Sequence, residues 1–231
     1  MRRCCIDHIT VTAPTLDVGA AWVQQALGVA PQMGGEHPRM ATHNMLLRLG
    51  EALFLEVIAP NPLATPPARP RWFALDTLRP GTEPALATWV ARSSDIQVAA
   101  AGSTEALGAV EPMQRGALHW LITIPADGGL ALQGIAPALI EWQAPDHPAA
   151  KLPDLGLSLV QLELLHPEPQ RIARLLGSLE MDDSRLCVGQ LVDGPPRLVA
   201  HIQTPQGLRQ LPLPKSGNYV SPRSKLGLAG R

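Results

Sequence analysis

Apolar and polar positions alternate at the start of the chain and then change to helical spacing. Residues 4–11 alternate and are rich in β-branched side chains, which predicts a strand. An apolar stripe with i, i+4, i+7 and i+11 spacing then predicts a helix over residues 16–27. Thr15 is the expected N-cap of this helix, and Gly28 is expected just after its end.

The next part of the chain predicts a hairpin. Residues 29–41 are rich in Gly, Pro and polar side chains and predict a loop, in which one further strand is left open. Residues 42–49 and 53–60 predict two strands joined by a short turn. The order is therefore strand, helix, an unassigned strand, strand and strand.

The same order recurs after a Pro-rich connector over residues 61–84. A helix is predicted over residues 96–107, and strands are predicted over residues 86–92, 116–124 and 139–142. This internal repeat predicts two paired βαβββ units within residues 1–145. A sheet built from such units with separate helices belongs to the α+β class.

A third, partial unit is predicted over residues 146–213. It has a strand over residues 157–164, a helix that begins near Pro169 and a closing hairpin over residues 198–211. Residues 214–231 have no apolar periodicity and predict a disordered tail.

Composition excludes several classes of function. The 231 residues have a formal net charge of −1 and only 3% aromatic residues, which gives no basic patch or stacking surface for nucleic acid. No apolar run approaches the ~18 residues of a membrane span, and no signal peptide is visible. Three cysteines without a CxxC pair argue against a disulfide framework and a structural zinc site. A cytoplasmic protein without membrane or nucleic-acid partners is therefore expected.

Three polar residues interrupt apolar strands at repeat-matched places. His8 lies in the first strand, while Glu56 and Glu141 lie in the last strands of the first and second units. A carboxylate among apolar side chains is costly unless it is paired or bound to a metal. The structural alternatives are a hydrogen-bonded core histidine at His8 and solvent-facing glutamates on edge strands.

Four further residues are candidates for substrate binding. Arg48 is suited to an anionic substrate, and Trp142 is suited to stacking on a planar ligand. His43 and Trp72 are candidates for the wall and rim of a pocket. The alternatives are turn packing for His43, solvent exposure for Arg48 and anchoring of the connector for Trp72.

Four segments resemble the glyoxalase-like domain family of the vicinal oxygen chelate superfamily, namely residues 6–9, 37–44, 53–58 and 68–73. The superfamily also includes glyoxalase I, extradiol dioxygenases and bleomycin-resistance proteins. The resemblance implies an open, curved barrel of mixed β-sheet with helices on the outside. It also implies a divalent metal ion (zinc, iron, manganese or nickel), held by His8, Glu56 and Glu141, with the two glutamates as catalytic proton carriers.

Two functions follow from this resemblance. One is a metal-dependent lyase, isomerase or dioxygenase that acts on a small oxygen-rich molecule. The alternative is a metal-free protein that binds or sequesters a small molecule in the same cavity. The position in the second unit that corresponds to His8 falls near Thr88, which favours the alternative because a ligand histidine is missing there. Association of two chains into a homodimer is left open.

Overall fold

The computed structural model describes residues 4–143 and 147–213, so the predicted tail lies outside the described residues. The described residues form three α-helices, which are α1 Leu16–Leu27, α2 Ile96–Gly102 and α3 Pro169–Ser178. The strands are β1 Cys5–Thr12, β2 Gln32–His37, β3 Thr42–Gly50, β4 Leu53–Pro60, β5 Ala85–Arg92, β6 Ala109–Arg115, β7 Leu118–Ile124, β8 Ala138–Trp142, β9 Ser158–His166, β10 Leu186–Gln190, β11 Arg197–Thr204 and β12 Gly207–Leu211.

The first two units share one curled sheet of eight strands in the order β2-β3-β4-β1-β5-β8-β7-β6. In each unit the first strand pairs in parallel with the fourth, as β1 with β4 and β5 with β8. The antiparallel pair of β1 and β5 joins the units. The predicted α+β fold of βαβββ units in an open, curved mixed sheet is confirmed.

Helix α1 has the bounds that its sequence predicts. The Thr15 side chain accepts a hydrogen bond from the backbone N–H of Val18, which satisfies one free donor of the first turn. Gly28 ends the helix at φ 75°, a left-handed conformation that glycine adopts without the strain of a β-carbon.

Strand β2 lies in the stretch whose strand was left open, strands β6 and β10 were not predicted, and one helix was predicted too long. Strands β2, β6 and β10 each lie at the edge of a sheet, where several side chains are exposed and the apolar alternation is weak. Pro112 lies within β6, a position that an edge strand tolerates. The helix predicted over residues 96–107 ends at Gly102.

Residues 158–211 repeat the element order of the first two units with a different strand order. Their four-stranded sheet has the order β10-β9-β11-β12. Here the first strand of the unit, β9, pairs in parallel with β10 and antiparallel with β11. The third unit therefore has its own topology.

The eight-stranded sheet is covered differently on its two faces. On the outer face, the apolar cluster combines residues of the sheet with residues of the helices and the small sheet, such as Val23, Leu162 and Leu175. On the concave face, a second cluster is rich in aromatic and branched side chains, including Trp72, Trp120, Ile122 and Ile140. None of the described helices is long and apolar enough to cross a membrane.

Candidate functional site

A narrow cavity of about 30 Å³ opens on the concave face of the eight-stranded sheet, between the first two units. Its polar lining consists of His8, His37, Asn44, Glu56 and Arg115. Its apolar walls are formed by Leu46, Phe54, Trp72, Phe73, Trp120, Ile122, Ile140 and Trp142. The cavity therefore has a charged end and an aromatic body.

An irregularity in β1 brings Asp7 to the side chain of His8. Strict alternation predicts that these consecutive residues face opposite sides of the sheet. The pairing of β1 with β5 shifts register between Ile6 and His8, as in a β-bulge. Nδ1 of His8 and Oδ1 of Asp7 consequently lie 2.7 Å apart.

Asp7 is a fully buried carboxylate held by several donors. Its Oδ2 accepts hydrogen bonds from Nε1 of Trp142 at 2.9 Å and from Nε2 of His147 at 3.0 Å. Burial raises the pKa of Asp7, but the hydrogen bonds from His147 and His8 outweigh it and hold the pKa well below its ordinary range. Asp7 is therefore an anion that accepts the Nδ1 proton of His8, which leaves a lone pair on Nε2.

Glu56 faces the His8 ring from the neighbouring strand β4. Its Oε2 lies 3.7 Å from Nε2 of His8. Its Oε1 accepts a hydrogen bond of 2.6 Å from Nδ2 of Asn44 in β3. Glu56 is only 6% exposed, so the alternative of a solvent-facing glutamate is wrong at this position.

Arg115 reaches the first unit from the end of β6. Its Nη1 donates to Oδ1 of Asn44 at 3.1 Å, and the backbone N–H of Gly35 donates to the same oxygen at 2.9 Å. The chain from Arg115 through Asn44 to Glu56 thus joins both units across the cavity. The sequence analysis did not identify Asn44 and Arg115 as site residues, because Arg115 ends an unpredicted strand and His43 was preferred over its neighbour.

His37 is a buried histidine at the same end of the cavity. Burial, together with the nearby positive charge of Arg115, lowers its pKa to about 3. Its Nδ1 lies 3.1 Å from Oγ1 of Thr42, and its ring meets the ring of Trp72 edge-on. His37 is therefore neutral at pH 7.

Glu141 does not join His8 and Glu56, which corrects the expected three-residue site. Its Oε2 accepts a hydrogen bond of 2.8 Å from the backbone N–H of Ile96, the first residue of α2. Ile140 and Trp142 line the cavity, so alternation along β8 turns Glu141 to the outer face. There it satisfies a free donor at a helix N-terminus.

The substrate-binding candidates divide into two groups. Trp72 and Trp142 lie in the cavity wall, where their contact with a ligand stays a prediction. His43 lies on the opposite face of β3 from Asn44, outside the cavity lining. Arg48 is also outside the lining, and it donates to the backbone oxygens of Gly50 and Leu152 at 3.2 and 3.4 Å.

The side chains of the cavity that could ligate a metal do not form the expected divalent-metal site. His8 and Glu56 supply two ligands, and the facing wall carries apolar side chains such as Ile122 and Ile140. Among residues 4–143 and 147–213, no group of three or more His, Cys, Asp or Glu side chains is arranged to hold a metal ion. Catalytic zinc sites usually have three protein ligands.

Comparisons with known proteins agree with the architecture. A family model described as a glyoxalase-like domain matches residues 6–180. A hypothetical protein from Staphylococcus aureus has the same fold, with 13% identity and a TM-score of 0.55 over 84% of this chain and 88% of that chain. A search of the curated proteins found no match.

Two methylmalonyl-CoA epimerases are more distant structural neighbours. The enzyme from Streptomyces coelicolor, in complex with 2-nitronate-propionyl-CoA, is 17% identical with a TM-score of 0.40 over 61% of this chain and 96% of that chain. The enzyme from Mycobacterium tuberculosis is 19% identical with a TM-score of 0.38 over 61% of this chain and 88% of that chain.

Proposed function

This chain belongs to the glyoxalase-like domain family of the vicinal oxygen chelate superfamily, and we propose that it binds a small oxygen-bearing molecule in the cavity and transfers a proton on it. The superfamily typically uses a divalent metal ion. Because the side chains that line the cavity do not form a suitable set of metal ligands, the proposed proton transfer uses protein side chains alone.

One observation carries the proposal, namely the buried pair of His8 and Glu56. Nε2 of His8 and Oε2 of Glu56 lie 3.7 Å apart at the polar end of the cavity. This distance is too long for a strong hydrogen bond between them, so both atoms are available to a ligand. Two neighbouring proton acceptors are suited to general acid–base catalysis.

Asp7 supports this role through Nδ1 of His8, the ring nitrogen that does not face Glu56. Its 2.7 Å hydrogen bond keeps the proton of neutral His8 on Nδ1 and the lone pair on Nε2. When Nε2 receives a proton, the buried Asp7 anion stabilises the imidazolium that forms. His8 can therefore accept and return a proton without changing its orientation.

The reaction we propose begins on a carbon next to a carbonyl group. Glu56 takes a proton from that carbon, and the electron pair of the broken C–H bond moves to the carbonyl oxygen to give an enolate. His8 receives the proton from Glu56. A proton then returns to the same carbon, which gives an epimer when it adds to the other face. Alternatively, it adds to the former carbonyl carbon while a neighbouring hydroxyl proton moves to the former carbonyl oxygen, which gives an isomer. No oxidant or reductant is needed, so the product is an isomer or epimer of the substrate.

Proton exchange with solvent tests this proposal. The protein is incubated in D₂O with pyruvate, 2-oxobutyrate, lactaldehyde and dihydroxyacetone, and NMR follows deuterium incorporation next to the carbonyl. We expect exchange with the wild type and at least about 100-fold slower exchange with Glu56→Gln. The matched control is Glu51→Gln, at an exposed residue of the β3–β4 turn. Equal exchange rates for Glu56→Gln and wild type contradict the proposal.

Binding without turnover is the second candidate function. It is favoured by the aromatic wall of the cavity, which contains Phe54, Trp72, Trp120 and Trp142. Such rings provide a large apolar contact area for a planar ligand. Saturable binding of the four carbonyl compounds above, or of aromatic compounds, without deuterium incorporation favours this candidate over catalysis.

A further inference from the structure

Arg115 is shared by the lining of the cavity and the lining of an outer groove. It lines the cavity and also a groove of about 760 Å³ on the surface. The other groove residues come from the two edge regions of the curled sheet, and they are Glu36, Pro38, Arg39, Pro112, Met113, Gln114, Gly116 and His119. The side chain of Arg115 therefore borders both spaces.

The positive charge of Arg115 lacks a carboxylate partner within the described part of the chain. No Asp or Glu oxygen there lies within 4.0 Å of its guanidinium, and the acceptor at Nη1 is the neutral amide of Asn44. Two other arginines of this region, Arg39 and Arg69, each form an ion pair with Glu111. Since a guanidinium has five N–H donors, Arg115 retains donors for a ligand.

Asn44 keeps Arg115 separate from the carboxylate of Glu56. Its Nδ2 donates to Glu56 at 2.6 Å, while its Oδ1 accepts from Arg115 and from the backbone of Gly35. These contacts fix the orientation of the Asn44 amide, with its NH₂ group towards Glu56 and its oxygen towards Arg115. The amide acts as a spacer, because it lies between two opposite charges that attract each other without forming an ion pair.

Two consecutive glycines make room for this arrangement. A β-carbon on Gly34 would lie 2.2 Å from Oδ1 of Asn44, and one on Gly35 would lie 2.8 Å from Cδ of Arg115. Both distances are shorter than side chains allow. A side chain at either of these two positions of β2 would therefore displace Asn44 or Arg115 from their contact.

We infer that Arg115 binds the carboxylate group of the ligand, so that the cavity selects small carboxylic acids with a second oxygen-bearing carbon. The parallel N–H groups of a guanidinium match the two oxygens of a carboxylate. Only the side chain of Asn44 separates this anion site from Glu56. A short acid therefore spans both groups, with its carboxylate at Arg115 and its reactive carbon towards Glu56. The inference rests on the proposed function.

Matched pairs of acids and amides test the inference. Pyruvate, 2-oxobutyrate, lactate and phenylglyoxylate are each titrated beside the corresponding primary amide, with tryptophan fluorescence as the readout. We expect at least one acid to bind wild type at least 10-fold more tightly than its amide. Arg115→Met should weaken binding of that acid about 30-fold and leave the amide unchanged, as expected for lost hydrogen bonds to a charged group.

Two further variants separate charge from geometry. Arg115→Lys should give an intermediate loss, because lysine keeps the charge but cannot form the two parallel hydrogen bonds. Arg79→Met, at an exposed arginine outside the cavity, should bind like wild type. Circular dichroism and urea unfolding check that each variant folds, and Arg115→Gln replaces Arg115→Met if that variant does not.

The possible outcomes distinguish this inference from the proposed function. Unchanged acid binding by the folded Arg115 variant, or amides that bind as tightly as the acids, overturns the anion site. If the amides also exchange their protons in D₂O as fast as the acids, the proposed function stands and only the anion site fails. If neither acids nor amides bind wild type, both fail.

Discussion

The Nδ1 atom of His8 and the Oδ1 atom of Asp7 lie 2.7 Å apart, although the two residues are consecutive in one strand. The register shift between β1 and β5 makes this contact possible. Through its second oxygen, Asp7 also accepts hydrogen bonds from Trp142 and His147. One buried carboxylate therefore connects the first unit with the end of the second.

Replacement of Asp7 should weaken the fold in a pH-dependent way. The folded-state pKa of Asp7 lies below its ordinary value of 3.8, so the anion stabilises the fold above that pH and loses this effect as the pH falls. We expect Asp7→Asn to reduce the free energy of unfolding by about 2–3 kcal/mol at pH 7. Below pH 4 the difference between variant and wild type should shrink. Urea unfolding at pH 7, 4 and 3 measures both effects.

The control for this experiment is Asp193→Asn, at an exposed aspartate between β10 and β11. It should follow the wild-type curve within about 0.5 kcal/mol. A difference between Asp7→Asn and wild type that stays constant from pH 7 to pH 3 would show that Asp7 has no depressed pKa.

The repeat and the main strands were predictable from the sequence because they depend on local periodicity. The apolar stripe and caps of α1 give its observed bounds, and the buried strands β1, β4 and β5 are rich in apolar and β-branched residues. The edge strands β2 and β6 were not predictable in this way. Their side chains are largely exposed, so tertiary pairing rather than apolar alternation determines them.

The site was predictable only in part, for a different reason. His8 and Glu56 interrupt buried strands, and strand alternation correctly places Glu56 on the face of Phe54. The contact between Asp7 and His8 depends on a bulge that alternation does not contain. Glu141, like Glu56, lies within an apolar strand. In β8, however, Ile140 and Trp142 face the cavity, so Glu141 between them faces the other side of the sheet.

His37 should make stability depend on pH in a higher range. Its pKa falls from 6.5 in the unfolded chain to about 3 in the fold, so the unfolded state binds more protons between these values. The free energy of unfolding should therefore fall as the pH decreases from 6.5 to 3, by up to about 1.4 kcal/mol per pH unit. His37→Gln should remove most of this slope.

Urea midpoints at pH 7, 6, 5 and 4 measure the slope for wild type and His37→Gln. The control is His119→Gln, at an exposed histidine, which should keep the wild-type slope. If His37→Gln also keeps that slope, then His37 is not the buried neutral histidine that limits stability in acid.

Gly34 and Gly177 should respond in opposite directions to the same substitution. A β-carbon at Gly34 meets Oδ1 of Asn44 at 2.2 Å and Cγ of Leu46 at 2.9 Å, so Gly34→Ala should destabilise the fold by about 1–3 kcal/mol. Gly177 lies in α3 with open space around it, and Gly177→Ala should stabilise by about 0.5 kcal/mol. Thermal unfolding of the two variants tests the pair, and a neutral Gly34→Ala contradicts the steric argument.

Removal of metal ions should leave the protein unchanged. Within the described residues, no three His, Cys, Asp or Glu side chains are arranged to hold a metal ion, and the wall that faces His8 and Glu56 carries Ile122 and Ile140. We expect dialysis against EDTA to change neither the urea midpoint nor the rate of deuterium incorporation, and added zinc or manganese not to raise the thermal midpoint. Loss of exchange on chelation and its recovery with a divalent ion would instead support the metal-dependent reaction typical of the superfamily.

Glu141→Ala distinguishes the observed role of this residue from the expected one. The Glu141 carboxylate accepts the N–H of Ile96 at the start of α2, where a negative charge is also favoured by the helix dipole. Its removal should therefore cost about 1 kcal/mol of stability. Proton exchange and ligand binding should remain at wild-type levels, in contrast to Glu56→Gln. A folded Glu141→Ala protein without exchange would return Glu141 to the catalytic site and overturn the assignment of its side chain to the outer face.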